Sequence, residues 1–407
     1  MHDVAVIGAG PAGSATAHYL ARRGVDVLLI DKFDFPRDKT CGDGLTPRAV
    51  GVLQDMGLSE ELQRVGQVIR RFEVFAPNGR STGDVVTLGD GMPAYALVVP
   101  RRILDDHIRR RAMQSGARFE PCVHVSHVRV EASNGAAHVA LHGERNGRHV
   151  TFQARLAVVA TGANTGLLLR SGILRVQPRV IVAARAYFEH VRELANTWTL
   201  RFDGAPLPGY GWVFPIVPDA ANVGVGYFQY NRTASALGFF ESFVRSPAMR
   251  QWLAGAVQAG PARGYPLRED FLTSPTFGER VLLVGEAAGL VNPLTGEGID
   301  YALESGRIAA DHIYDMFAHG DFTRPQHVAY DRALRERFQM LFEFCLWVRR
   351  WCAHPIALNV LVTMANRRSD LRRKLTQIVL GGAPIRRKPT VGRIVQTLVG
   401  WGGSRAA

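Results

Sequence analysis

Residues 3–31 read DVAVIGAGPAGSATAHYLARRGVDVLLID, an apolar run followed by a glycine-rich turn, a helical segment, a second apolar run and an acid. Gly8, Gly10 and Gly13 form a GxGxxG pattern directly after the first apolar run. In such patterns the first glycine allows a tight turn, the second lets the backbone approach a pyrophosphate, and the third packs the helix against the strand. The pattern predicts a strand–turn–helix–strand unit that binds a dinucleotide.

Two further features of this unit fit a phosphate and a ribose. The helix after Gly10 begins with N–H groups that have no partner within the helix and with the positive end of its dipole, and both attract phosphate. Asp31 follows about twenty residues later, where an acid bonds the adenosine ribose in this kind of fold. A glycine-rich turn without a cofactor is the alternative interpretation. The residues predicted to contact the cofactor here are Gly8, Gly10, Pro11, Ala12, Gly13, Ser14, Ala15 and Asp31.

The length and composition indicate a globular α/β protein. The chain has 407 residues, enough for two domains or for one large domain with an insertion. Its four cysteines show neither a CxxC spacing nor a Cys/His ligand pattern, so neither a metal site nor a disulfide framework is predicted, and a reducing cytoplasm fits best. The first apolar run begins almost at Met1, so no secretory signal is predicted.

A second glycine-rich turn lies far downstream, in VLLVGEAAGLVNPLTGEGI at 281–299. Glu286 follows an apolar run there, where its carboxylate can hold ribityl hydroxyls. The Gly296–Gly298 turn opens a helix at Ile299, whose N–H groups can face the pyrimidine edge of a flavin. Strand-rich stretches separate the two turns, unlike the regular strand–helix alternation of an enzyme that uses only NAD. An ordinary turn between a strand and a helix is the alternative, but two such turns favour a long cofactor with two ends, FAD.

The stretch GYGWVFP at 209–215 places Tyr210, Trp212 and Phe214 at a spacing of two residues. Side chains alternate between the faces of a strand, so the three rings are predicted to share one face. They can line a binding site, or they can simply fill the core between a sheet and a helix.

Several stretches together resemble the FAD-dependent geranylgeranyl reductase family over residues 1–325. They are GAGPAG at 8–13, FPRDKTCGDGLTPRAV at 35–50, VPRRILDD around Arg101, VVATG at 158–162, VGEAAGLVNPLTGEGID at 284–300 and GYGWVFP at 209–215. The chain is similar in particular to the actinobacterial members that saturate the isoprenoid tail of menaquinone. It departs from the family pattern at Glu286, where Asp is usual, and at Leu207, where a proline is usual.

The resemblance implies an α/β fold like that of p-hydroxybenzoate hydroxylase. It comprises a discontinuous Rossmann-like FAD domain with an inserted antiparallel substrate sheet, followed by a basic helical C-terminal segment. The predicted boundaries are 1–71, 101–165 and 271–325 for the FAD domain, 72–100 and 166–270 for the substrate sheet, and 326–407 for the C-terminal segment.

The resemblance also implies a reaction, the saturation of isoprenoid C=C double bonds in a prenyl lipid such as a geranylgeranyl group or a menaquinone tail. Hydride would come from N5 of reduced FAD, together with a proton. Tyr210, Trp212 and Phe214 would line a tunnel for the prenyl chain. The proton donor is Cys41, Tyr210 or a bound water, and the cations near Cys41 are expected to lower its thiol pKa. Further cofactor contacts are expected from Cys41, Gly42, Asp43, Gly44, Arg101, Val123, Glu286, Gly296, Gly298 and Ile299.

Other functions are kept as alternatives. An oxygen-dependent flavin monooxygenase or epoxidase shares the fold, although the Asp–Gly pair common in hydroxylases is replaced here by Thr161–Gly162. A halogenase is disfavoured because no WxWxIP stretch occurs, and nothing positive supports a non-catalytic flavoprotein. No second Rossmann unit is evident, so the electron donor is either transiently bound NADPH or a small redox protein.

The basic charge of the chain is concentrated at its C-terminus. Of a net charge of +13, residues 335–407 carry +11, with fourteen Arg and Lys against three acids. The apolar part of RERFQMLFEFCLWVRRW at 335–351 is shorter than the roughly twenty residues that span a bilayer. Further on, Leu371, Leu375 and Ile378 are predicted on one helical face, with Arg372–Lys374 off it. This composition favours a peripheral segment on the anionic inner face of the cell membrane; a solvated helical cap is the alternative, and nucleic-acid binding is disfavoured.

Overall fold

A computed structural model describes residues 1–382 apart from 88, 90, 134–135, 192–193, 217–218 and 231–234. The part of the predicted C-terminal segment beyond 382, including Trp401, lies outside the described residues. The strands are β1 (His2–Ile7), β2 (Val27–Ile30), β3 (Gly44–Leu45), β4 (Gln67–Ile69), β5 (Arg71–Phe75), β6 (Ser81–Val85), β7 (Ala96–Val98), β8 (Arg118–Glu120), β9 (His124–Ser133), β10 (Ala136–Arg145), β11 (Arg148–Val159), β12 (Ile181–Glu189), β13 (Thr197–Arg201), β14 (Gly209–Ile216), β15 (Ala220–Tyr227), β16 (Val257–Leu267), β17 (Phe277–Gly278) and β18 (Val281–Leu283).

The α-helices are α1 (Pro11–Ala21), α2 (Pro47–Asp55), α3 (Ser59–Val65), α4 (Arg101–Gln114), α5 (Gly166–Arg170), α6 (Ala236–Val244), α7 (Pro247–Arg250), α8 (Ile299–His319), α9 (Arg324–Cys352), α10 (Pro355–Arg367) and α11 (Ser369–Val379). A 3₁₀ turn spans Gly285–Ala288. Helices therefore follow both glycine-rich turns, and three helices occupy most of the described C-terminal segment.

The first large sheet has the order β17-β18-β11-β1-β2-β8. The strands from β18 to β8 are parallel, and the β9–β10 hairpin extends the sheet by pairing antiparallel with the first part of β11. Residues 4–7 and 27–30 are buried, as expected of parallel strands covered by helices on both faces. This sheet confirms the predicted strand–turn–helix–strand unit.

Steric contacts explain two glycines of the first turn. Gly8 has a φ of +108°, and a Cβ there would lie 2.4 Å from the carbonyl oxygen of Ala160. A Cβ on Gly13 would lie 1.8 Å from the carbonyl oxygen of Gly8. Neither position tolerates a side chain, because the turn presses directly against the neighbouring strand. The turn thus places Gly10 at the N-cap position of α1.

The second large sheet has the order β16-β12-β15-β14-β13-β5-β6 and is antiparallel except for the β5–β13 pair. On β14, Trp212 and Phe214 belong to one apolar cluster, and Tyr210 packs against it. Val213, between them, belongs to a different cluster with Phe243 of α6 on the other face. The prediction that the three rings share one face is confirmed.

A three-stranded sheet, β3-β7-β4, connects the two large ones. The predicted substrate sheet included β7, but β7 pairs with β3 and β4 instead. The reason is that the chain turns back after β6, so β7 meets the strand that carries Gly44 rather than the edge of the second sheet.

The C-terminal helices pack against both sheets. Phe338 and Phe342 of α9 are fully buried in the core of the first sheet, so this part of the predicted surface segment belongs to the interior. α11 lies against β6, where Leu371 is buried and Arg372 approaches Asp84 within 3.7 Å. Arg372, predicted to lie off the apolar face of this helix, faces the Asp84 carboxylate of β6. Among the described residues, no helix combines the length and the apolar character needed to cross a bilayer.

Candidate cofactor and substrate site

One cavity of about 500 Å³ is lined by residues of both large sheets and by the two glycine-rich turns. Its lining brings together residues from Ile7 to Leu380, which are 373 positions apart in the chain. The predicted site residues that line it are Gly8, Gly10, Pro11, Ala12, Asp31, Cys41, Gly42, Gly44, Arg101, Val123, Tyr210, Trp212, Phe214, Glu286, Gly296, Gly298 and Ile299.

Four predicted cofactor residues do not line the cavity: Gly13, Ser14, Ala15 and Asp43. Gly13 lies under the turn, in contact with Gly8. Ser14 is buried and donates a hydrogen bond to the carbonyl oxygen of Ala9 over 2.9 Å, and Ala15 is buried inside α1. These three residues therefore support the turn from behind: Gly13 lets α1 approach Gly8 closely, and the Ser14 and Ala15 side chains are buried.

The first turn presents an open helix end. Gly10 is the N-cap of α1, and no side chain caps its N–H groups. A Cβ on Gly10 would meet nothing closer than the Arg37 guanidinium at 3.5 Å. Asp31 accepts hydrogen bonds from the backbone N–H groups of Ala9 (2.7 Å) and Phe33 (2.9 Å), so its carboxylate holds the turn and the loop after β2 at the cavity wall. This arrangement fits a pyrophosphate and a ribose.

Two arginines supply positive charge near this helix end. Arg101 binds Asp105 in bidentate fashion, with Nε–Oδ1 and Nη2–Oδ2 distances of 2.6 and 2.7 Å. Arg37 reaches the same carboxylate with Nη1 at 3.0 Å. Because one buried carboxylate neutralises only one of the two guanidinium groups, net positive charge remains for an anionic ligand. Arg37 was not among the predicted cofactor residues, although it lies in the FPRDKTCGDGLTPRAV stretch at 35–50.

Glu286 holds a central position between the two turns. Its Oε1 accepts a hydrogen bond from the backbone N–H of Arg268 over 3.1 Å, and its Oε2 lies 3.3 Å from Lys39 Nζ. Lys39 also lies over the Tyr265 ring, 4.6 Å from its centroid. The side chain is largely buried, so Glu286 is oriented by these partners before any ligand arrives.

The second turn differs from the prediction in one respect. The N–H groups of Gly298 and Ile299, which the sequence analysis assigned to the cofactor, donate to Glu297 Oε1 over 3.1 and 2.9 Å. An acid at the start of a helix satisfies N–H groups that have no helical partner. Burial raises the pKa of Glu297, and the neighbouring Asp300 carboxylate raises it further. A cofactor edge must therefore share these N–H groups with Glu297.

Cys41 lies in the cavity wall between cationic groups. The expectation that these cations lower its pKa is wrong, because desolvation raises the pKa of the thiol and outweighs the opposing effect of the Arg101 and Lys39 charges. The Asp43 and Glu297 carboxylates act in the same direction as burial. Cys41 is consequently a protonated thiol at neutral pH, a state in which it can donate a proton.

Asp43 is fully buried beneath the cavity wall. Its Oδ2 accepts hydrogen bonds from Tyr187 Oη (2.7 Å) and Asn222 Nδ2 (2.8 Å), and its Oδ1 accepts one from the Arg101 N–H at 3.3 Å. Burial raises the pKa of Asp43 to about 6, although the Asn222 and Tyr187 hydrogen bonds lower it. The carboxylate thus organises the loop from inside instead of facing a ligand.

Tyr210, the second proton-donor candidate, donates its hydroxyl hydrogen to the carbonyl oxygen of Thr295. Burial raises its pKa, and the Glu297 carboxylate adds to this. The phenol is therefore neutral and points toward the second turn, so β14 and that turn are joined across the cavity.

Comparison with known proteins identifies the chain. The FAD binding domain family model matches residues 1–313. A menaquinone reductase of Mycobacterium tuberculosis is 37% identical over 326 residues, which cover 76% of each chain. A digeranylgeranylglycerophospholipid reductase of Methanopyrus kandleri is 31% identical over 361 residues, covering 87% of this chain and 89% of that one.

The chain belongs to the FAD-dependent geranylgeranyl reductase family. A solved structure of a geranylgeranyl bacteriochlorophyll reductase-like protein from Thermoplasma acidophilum has the same fold, with a TM-score of 0.80 at 22% identity over 98% of this chain and 99% of that one. FAD is the cofactor of this family member, which is an oxidoreductase. The two phosphates and the ribose of FAD fit the open helix end at Gly10, the Asp31 carboxylate and the Arg37–Arg101 pair.

This reductase-family protein closes the far end of the cavity with apolar side chains. Tyr210, Trp212 and Phe214 form one wall, and the rings of Trp198 and Phe214 meet edge to face with centroids 4.7 Å apart. Further side chains of this wall were not predicted, because they come from β5, β13 and the end of α11: Phe72, Trp198, Leu200, Val379 and Leu380. Only the aromatic alternation on β14 gave a local signal.

Proposed function

We propose that this protein saturates isolated C=C double bonds of a prenyl lipid, such as a geranylgeranyl group or the isoprenoid tail of menaquinone. The observation that carries the proposal is that one cavity is lined both by the uncapped helix end at Gly10 and by the aromatic side chains of β14. An FAD site that continues into a space lined by buried apolar side chains suits a long hydrocarbon chain. The names of the relatives, a menaquinone reductase and an archaeal phospholipid reductase, support the same substrate class.

The chemistry requires positioning, exclusion of water and one acid. Reduced FAD, when bound, supplies the hydride for the more substituted carbon of the double bond. An isolated alkene has no carbonyl group that an enzyme could polarise, so orientation and a dry site carry most of the catalysis. The aromatic wall of Tyr210, Trp212 and Phe214 would hold the chain. The Cys41 thiol would give its proton to the less substituted carbon, and the adjacent Arg101 would stabilise the thiolate that remains.

The test is an anaerobic incubation of photoreduced, FAD-loaded protein with polyprenyl lipids, with products identified by mass. A gain of two hydrogens supports the proposal. A gain of oxygen that requires air would establish the monooxygenase alternative, and no product under either condition would contradict both. In the same assay, Cys41→Ala should abolish turnover without loss of FAD, whereas Cys41→Ser, a weaker acid, should retain part of it. NADPH and a small redox protein are then compared as electron donors for catalytic turnover.

We further propose that the protein binds the inner face of the cell membrane through the corner between α9 and α10. Trp351, Ile356 and Val360 are 61%, 69% and 49% exposed there, and the exposed Arg350 lies beside them. Apolar side chains with a Trp and a basic rim fit an anionic lipid surface. The net charge of +11 over residues 335–407 adds long-range attraction.

Co-sedimentation with vesicles of phosphatidylcholine and phosphatidylglycerol tests this membrane surface. The double variant Trp351→Ser/Ile356→Ser should remain in the supernatant and keep its FAD. The matched control is Val257→Ser, which removes an apolar side chain 57% exposed on β16 and should sediment like the wild type. Wild-type protein that stays in the supernatant at low salt would contradict the proposal.

A further inference from the structure

The last turn of α11 forms part of the cavity wall. Val379 and Leu380 both line the cavity, and Leu380 is only 1% exposed. Leu380 belongs to the same apolar cluster as Trp198, Trp212 and Phe214. The end of a helix from the C-terminal segment, which begins 153 residues after the end of β14, therefore contributes to the aromatic end of the site.

Buried ionic contacts fix this turn in place. The Arg48 guanidinium donates to the carbonyl oxygen of Gly381 over 3.1 Å, directly after Leu380. Arg48 is itself buried and bound to Glu304 with Nη2–Oε1 and Nε–Oε1 distances of 2.7 and 2.9 Å. Glu304 also binds Arg337 of α9 at 3.0 Å. Residues from α2, α8 and α9 thus hold the end of α11 against the cavity.

The described side chains around Leu380 are buried. The walls around Leu380 are Phe72 on β5, Trp198 and Leu200 on β13, and Trp212 on β14, and all of them are buried. Their side chains pack in one apolar cluster together with Leu380. A chain that extends from the second glycine-rich turn past Tyr210 must therefore stop where it meets Leu380, or it must displace a fixed helix end.

We propose that Leu380, with Val379 beside it, is the end wall that limits how many isoprene units the site accepts beyond the reacting double bond. This inference rests on the proposed function and adds a specificity-determining position to it. A shorter side chain at 380 lengthens the apolar end, and a larger one shortens it. Close packing makes such a limit sharp, because a surplus branched unit finds no empty space among buried rings.

The experiment measures the binding of geraniol, farnesol and geranylgeraniol to the oxidised FAD-loaded protein, with Kd taken from the change in the flavin absorption band. Affinity in the wild type should rise with chain length up to a limit. Leu380→Trp should raise the Kd of the longest alcohol that the wild type binds by about tenfold or more. The Kd of geraniol should stay nearly unchanged. Leu380→Ala should increase the affinity for the longest alcohols relative to the affinity for geraniol. The control is Val257→Trp, which adds the same ring at a position 57% exposed on β16 and should match the wild type.

The outcomes separate the inference from the proposed function. If the wild type binds none of the three alcohols, the prenyl substrate itself is wrong. If the wild type binds them and the order of affinities is the same in all variants, the inference that Leu380 limits the chain length is wrong, while the proposed function stands. Leu380→Ala keeps the test valid if the larger Trp prevents folding, which circular dichroism and FAD content would reveal.

Discussion

Asn222 donates a hydrogen bond from Nδ2 to the carboxylate of Asp43 over 2.8 Å. The same Nδ2 donates to the carbonyl oxygen of Cys41 at 2.7 Å, and Asn222 Oδ1 accepts a hydrogen bond from Trp212 Nε1 at 2.9 Å. One buried amide on β15 therefore joins the loop that carries the thiol to the strand that carries the aromatic wall. The positions of Cys41 and Trp212 relative to each other depend on it.

Asn222→Ala should destabilise the protein by about 2–4 kcal/mol, because it leaves the Trp212 N–H without its partner and removes a donor from the buried Asp43 carboxylate. Urea unfolding followed by circular dichroism measures this loss. The matched control is Asn359→Ala on α10, which removes one hydrogen bond near the surface and should cost much less. An equal decrease in the free energy of unfolding in the two variants would show that the buried Asn222 hydrogen bonds stabilise the protein no more than a hydrogen bond near the surface.

Asp43→Asn should change the pH dependence of stability. The pKa of Asp43 is raised from 3.8 to about 6, so the folded protein holds this proton more tightly than the unfolded chain. The contribution of this group to the free energy of unfolding is therefore present at low pH and is lost as pH rises from about 4 through about 6. The difference in unfolding free energy, variant minus wild type, should rise across this window in urea titrations. A difference that does not vary with pH would contradict the raised pKa.

Gly10→Val should abolish FAD binding but preserve the fold. Gly10 has φ −75° and ψ −173°, which valine adopts without strain, and its Cβ would meet only the mobile end of Arg37. The added methyl groups would instead occupy the space through which phosphate approaches the helix end. The measurement is the flavin absorbance of the purified protein, together with its thermal unfolding curve.

Two comparisons make the Gly10 result specific. Gly238→Val on α6, where a Cβ makes only ordinary contacts with Ser235, should keep FAD. Gly8→Ala should fail to fold, since its Cβ would lie 2.4 Å from the carbonyl oxygen of Ala160. A yellow Gly10→Val protein would mean that the phosphates do not approach this turn.

Cys41 should react slowly with iodoacetamide at neutral pH. Burial raises the pKa of its thiol above the ordinary 9.0, so little thiolate is present. Its alkylation rate in FAD-free protein, measured by peptide mass spectrometry, should keep rising above pH 9. The exposed Cys122 serves as an internal reference for reagent access. Rapid alkylation of Cys41 at pH 7 would instead indicate that the neighbouring cations lower the thiol pKa more than burial raises it.

The sequence by itself determined the dinucleotide unit, the second turn and the aromatic face of β14. Each of these depends on local geometry: the steric limits that require Gly8 and Gly13, the start of a helix after a glycine-rich turn, and the alternation of side chains along a strand. The same rules apply wherever such a stretch occurs, so a short window of residues is sufficient.

Only the tertiary structure decided how these segments contact one another. Asn222 reaches Cys41 and Asp43 across about 180 positions of the chain, and Leu380 meets a strand that the sequence does not connect with it. The direction in which the pKa of Cys41 shifts was mispredicted for the same reason. Neighbouring cations can be read from the sequence, but the desolvation that outweighs them exists only once distant segments pack around the thiol and exclude water.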